Sequence, residues 1–152
     1  MRAKWFGMSL ECAKFVVVGK FPTGRKKMFA LQITAEGKLL PVEKLDYPTL
    51  SKAVGGYIER ITLGGKFEGY ALYVNEEGKL NGLPRNILGT AIWEMVYGMT
   101  DTIVGNVVLV SAKIDKEGNE VALTSKQLNK ALDLIEKAYS RYAHPSTQNL
   151  RK

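Results

Sequence analysis

The sequence predicts an α+β fold: a single domain, mainly an antiparallel sheet built from hairpins, with two short helices and a longer amphipathic helix near the carboxyl end. Three observations carry this. Short β-branched or alternating runs are separated by turns rich in Gly, Pro and Asx residues. Strands and helices mix without the strict β-α-β alternation of a parallel sheet. One late segment keeps apolar residues at three- and four-residue steps, which is the period of a helix with one buried face.

Taken in order, "KFVVVGK" (Lys14–Lys20) reads as a short buried strand. "FPTGRKK" follows as a turn with a basic cluster at its tip. "MFALQIT" (Met28–Thr34) reads as a strand, "AEG" as a turn and "KLLPV" as the return strand, where Pro41 points to an edge or a strand end. Asp46 is placed to cap a short helix, "YPTLSKAVGG", with Pro48 in its first turn and a glycine at its end. "YIERITL" fits a strand between glycine pairs, and the Gly64-Gly65 loop leads to the strand "YALYV".

Asn86 reads as the start of the second helix, "ILGTAIWEMVYG". The Val and Ile content of "TIVGNVVLVSAKI" predicts a central strand, and "DKEGNEV" a hairpin turn. "TSKQ" is a capping box in which Thr124 and Gln127 satisfy each other's backbone amides. Leu128, Leu132, Ile135, Tyr139 and Tyr142 then form the apolar stripe of the long helix. The domain is expected over residues 1–142, with a basic segment at 1–27 and a flexible tail, "HPSTQNLRK", at 143–152.

At 152 residues the chain is long enough to bury a core without disulfide staples, and its 45% hydrophobic and 24% charged content is ordinary for a soluble protein. The one cysteine, Cys12, excludes an internal disulfide and fits a reducing cytoplasm. Neither a signal-peptide core nor an apolar run of membrane-spanning length is expected. The net charge of +7 is unevenly placed. Residues 1–27 hold seven basic side chains against Glu11 alone, whereas the rest holds 15 basic and 14 acidic. Such asymmetry marks an arm that meets phosphate or an acidic partner, or an end that only aids solubility.

"FALQITAEGKL" (Phe29–Leu39) aligns without a gap on "YALYVNEEGKL" (Tyr70–Leu80). Hairpin loops want a left-handed glycine after polar residues, so both stretches read as hairpins, through convergent turn chemistry or an old duplication. Beyond that shared grammar, the second stretch adds Asn75, Glu76 and "GLPRN". The helix amino terminus at Asn86, with Arg85 beside it, is either a plain cap or an anion site.

"VGGYIERI", "YVNEEGKLNGLPRN", "DTIVGNVVLV" and "LTSKQLNKAL" occur in that order, and across them the chain resembles the domain-of-unknown-function family numbered 3846. The resemblance covers roughly Val54 to Leu134 and leaves the first forty residues outside. It implies a small accessory protein of the kind found in phages, bacteria and archaea, encoded by a virus or another mobile element. It supplies no catalytic residues.

No catalytic constellation is expected. The only histidine, His144, precedes a proline in the tail, no spacing suggests a zinc site, and there is neither a P-loop nor a dinucleotide fingerprint. Glu76 and Glu77 are adjacent and in a strand would face opposite ways. Trp5 and Trp93 read as core or interface anchors. No cofactor is expected. The leading reading is therefore a binding protein for an anionic, nucleotide-like ligand held by Asn75, Arg85 and Asn86. The second is a nucleic-acid-binding module using Lys20, Arg25, Lys26 and Lys27, and the third an inhibitor docking on a host protein. If Asn86 is only a cap, Asn86→Asp should be nearly neutral and Asn86→Ala should cost roughly 1 kcal/mol.

Overall fold

A computed structural model of the chain describes residues 16–17 and 30–143. Its strands are β1 (Val16–Val17), β2 (Ala30–Ile33), β3 (Lys38–Val42), β4 (Ile58–Thr62), β5 (Tyr70–Asn75) and β6 (Val107–Ser111). Its helices are α1 (Tyr47–Val54), α2 (Ile87–Tyr97) and α3 (Ser125–Ala143), with a single 3-10 turn at Gly65–Phe67. The strands form one sheet in the order β1-β3-β2-β6-β5-β4. Every pairing is antiparallel except that of β1 with β3. The α+β class and the three helices follow the sequence expectation.

Two apolar layers sandwich the sheet, because strand alternation sends successive side chains to opposite faces. Leu31, Ile33, Tyr70, Leu72, Val107 and Leu109 lie in one buried cluster with Leu88 and Ile92 of α2 and Leu128, Ile135 and Tyr139 of α3. Ala30, Ala71, Tyr73, Val108 and Val110 lie in the other with Leu50 and Val54 of α1. β5 and β6 are covered on both sides, so all their residues are buried. This explains why β6 reads as an unbroken apolar run. Burying each large aliphatic side chain contributes roughly 1.5–3 kcal/mol.

The caps form as the local sequence dictates. Asp46 Oδ1 accepts from the Thr49 amide at 2.9 Å, and Gly55 closes α1 in the left-handed region at φ 84°. The Thr124 hydroxyl accepts from the Gln127 amide while Gln127 Oε1 accepts from the Thr124 amide, each at 3.0 Å. That is the predicted capping box. Pro41 sits in β3 opposite Leu31, beyond Lys38 and Leu39, the two residues that β1 pairs. Its missing donor therefore breaks no pairing with β1.

The matching stretches "FALQITAEGKL" and "YALYVNEEGKL" fold differently. The first is the β2–β3 hairpin, with Gly37 at φ 91°. The second is not a hairpin: after β5 the chain winds through turns over residues 76–82 and never returns beside β5. Gly78 is not among the left-handed glycines, and Gly82 takes that conformation instead, at φ 68°. Gly78 serves another need, since a Cβ there would stand 2.9 Å from Val104 Cγ2. Close approach selects this glycine, and backbone handedness does not.

No helix of the described residues is long and apolar enough to cross a membrane. Among them, no group of three or more His, Cys, Asp or Glu side chains could hold a metal ion.

Candidate binding cleft

At the carboxyl end of β5 the sheet, α2 and two loops enclose a cleft of about 310 Å³. β4 contributes Glu59 and Ile61, and β5 contributes Val74 and Asn75. Glu76, Lys79 and Leu80 come from the turns that follow, Trp93 from α2, and residues 101–104 from the loop before β6. Register decides which acids face inward. Glu59 pairs with Val74 and so shares its face with Ile61, and Glu76, two residues beyond Val74, returns to that side.

The two loops are tied to the body. Asn86 N donates to Ile103 O at 2.8 Å, and Gly105 N to Pro84 O at 2.7 Å. Thr90 Oγ1 accepts from the Ile103 amide at 3.0 Å and fixes the second loop to α2. Lys79 forms an ion pair with Asp101 that joins the two loops across one side of the cleft. The hydrogen bond from Lys79 holds the Asp101 carboxyl below its usual range. Trp93 Nε1 donates to Thr100 Oγ1 at 2.9 Å, and its ring lies 4.5 Å from that of Tyr97.

The three residues expected to hold a ligand do not converge. Asn75 lines the cleft but is 7% exposed, and its side chain is occupied: Nδ2 donates to Val54 O at 3.1 Å and Oδ1 accepts from the Glu77 amide at 2.8 Å. Asn86 is fully buried. Its Nδ2 donates to Ile33 O at 2.9 Å and to Gly105 O at 2.8 Å, and its Oδ1 caps α2 at the Gly89 amide. Both amide protons and the carbonyl are therefore used within the fold. Asn86 is a cap that is also hydrogen-bonded to the end of β2, so its side chain has no group left for a ligand. Arg85 is exposed and bridges Val104 in an isolated antiparallel pair, outside the cleft. Lys20, Arg25, Lys26 and Lys27 lie outside the described residues.

Electrostatics also turn the cleft away from anions. It carries Glu59, Glu76 and Asp101 against Lys79, whose charge is taken up by Asp101. Glu59 and Asp101 are not among the residues the sequence singles out, whereas Glu76 stands beside Asn75 in the stretch beyond the shared turn. The signal for Glu59 was the alternation of "YIERITL", readable only once β4 was set in register against β5. Trp93, expected as an anchor, is half-buried at the cleft wall.

A second polar cluster lies on the opposite face. Tyr73 donates to Glu120 Oε2, and Arg60 Nε donates to the same oxygen at 3.1 Å. Glu120 Oε1 is buried without a partner. Burial, then the hydrogen bond with Glu120, pushes the Tyr73 phenol up to about 12.

Among known proteins, a family model described as Domain of unknown function (DUF3846) matches residues 28–136. No curated protein and no solved structure matches the chain.

Proposed function

The chain belongs to the DUF3846 family, a domain of unknown function, and from that premise we propose that it is an accessory binding protein that engages an anionic partner through its basic residues 1–27. One observation carries the reading. Residues 30–141 contain 13 basic and 14 acidic side chains, so the net charge of +7 arises at the two ends of the sequence, chiefly in residues 1–27. The one described cleft that holds a predicted ligand residue is acidic, and Asn86 has no free polar group. Both facts support moving the anion contact from Asn75, Arg85 and Asn86 to Lys20, Arg25, Lys26 and Lys27. Nucleic acid is the partner that this arrangement favours, because a basic segment gains affinity along a regular line of phosphates by releasing counterions. The single cysteine suits a cytoplasmic setting, and the family resemblance suits a protein of a virus or mobile element.

Fluorescence anisotropy with a labelled duplex, measured across a salt series, tests the proposal. The affinity should fall with a log-log slope of about −0.9 for each phosphate neutralised. Replacing Arg25, Lys26 and Lys27 with alanine should flatten that slope and weaken binding while leaving the melting temperature in place. Wild-type affinity in the triple variant, or binding indifferent to salt, would sink the reading.

A further inference from the structure

The cleft beside Asn75 has a chemistry of its own, independent of the basic segment. Glu59 and Glu76 both line it, and no described side chain pairs with either. Glu59 of β4 is opposite Val74, and Glu76 lies two residues past Val74 in the first turn after β5, where its amide donates to Tyr57 O at 2.9 Å. Both carboxylates are exposed, and their like charges repel weakly across the cleft, a repulsion that a cation between them would relieve. The walls are apolar or aromatic: Ile61, Val74, Ile103 and Val104 with Trp93, and Leu80 on the rim at 86% exposure. The volume, about 310 Å³, is at the small end of ligand sites.

We propose that this cleft binds an alkyl ammonium or guanidinium cation, its head held by Glu59 and Glu76 and its aliphatic stem against Trp93 and the apolar wall. A carboxylate pair gives such a head its opposite charge and hydrogen-bond acceptors. Trp93 adds attraction for a cation near its ring, and the apolar wall favours the methylene stem that basic side chains and polyamines share. An anion or a neutral apolar ligand would satisfy only one of these features.

Isothermal titration with agmatine and with a blocked arginine tripeptide, on the wild type and on Glu59→Gln/Glu76→Gln, tests the site. The wild type should bind at least one probe, and the double variant should lose about tenfold in affinity, as expected for two partly exposed charge contacts. The melting temperature of that variant should hold or rise, since the repulsion is gone. Trp93→Leu should weaken the same binding. Stronger binding of the tripeptide assigns the cation to a partner protein's side chain, and stronger binding of agmatine assigns it to a free amine. Failure of both probes at millimolar concentration, or equal affinity in the double variant, overturns the proposal. Neither outcome bears on nucleic-acid binding by residues 1–27.

Discussion

The side-chain amide of Asn86 donates to the backbone carbonyl of Ile33 at 2.9 Å, across 53 positions of sequence. A second proton of the same group reaches Gly105 O. One residue thereby caps α2 and fastens it to the end of β2 and to the loop before β6.

This reverses the outcome expected of a simple cap. Aspartate would still accept from the Gly89 amide, but it would lose both donors and set a carboxylate against two buried carbonyls. Asn86→Asp should therefore destabilise by about 3–5 kcal/mol, as an uncompensated buried charge does. Asn86→Ala loses the cap and strands two carbonyls, and should cost about 2–4 kcal/mol. Chemical denaturation of both variants checks the order, and a neutral Asn86→Asp would refute the buried network.

Gly78→Ala should cost about 1–3 kcal/mol, because its methyl meets Val104 Cγ2 in a packed site. The same substitution in a Val104→Ala background should cost less, with a coupling of at least about 0.5 kcal/mol. A double-mutant cycle reads this directly. Were handedness the constraint, Val104→Ala would give no relief.

Tyr70 and Tyr73 should titrate late, since both phenols are pushed up from the usual 10.0 to about 12. Burial is the leading cause in each. The folded state favours the neutral phenol more than the unfolded state does. Its stabilisation is thus complete below pH 10 and is lost as pH rises toward 12. Phenolate absorbance should lose one late-ionising group in Tyr70→Phe and another in Tyr73→Phe. Melting temperature should drop across the same pH interval.

Thr124→Ala should destabilise α3 by about 1 kcal/mol. The two halves of the capping box share one turn, so Gln127→Ala should cost less after Thr124→Ala than alone. Thermal melts of the single and double variants test this. Full additivity would show that the reciprocal bonds do not act together.

Much of the fold was legible because it rests on contacts a few residues apart. Asp46, Asn86 and Thr124 were readable as caps from the turns they open, and the period of Leu128, Leu132, Ile135 and Tyr139 gave the buried face of α3. Alternation in "YALYV" and the β-branched density of "VVLV" marked strands for the same reason. What failed were inferences that needed a second segment. Two nearly matching stretches, each with a Glu-Gly-Lys-Leu turn, became a hairpin in one place and a winding loop in the other. The difference lies in their partners, since β3 returns beside β2 whereas β6, from far along the chain, takes the place beside β5.

The sequence by itself determined the class, the caps, the helical periods and the concentration of positive charge in residues 1–27, all of which follow from local stereochemistry and composition. Only the tertiary structure decided that Asn86 faces Ile33 and Gly105, that Gly78 is required by Val104, and that Glu59, Glu76 and Trp93 share one cleft. Those relations depend on strand register and helix docking. A shift of one residue in register turns every side chain of a strand to the other face, so no local pattern can state which distant side chains will meet.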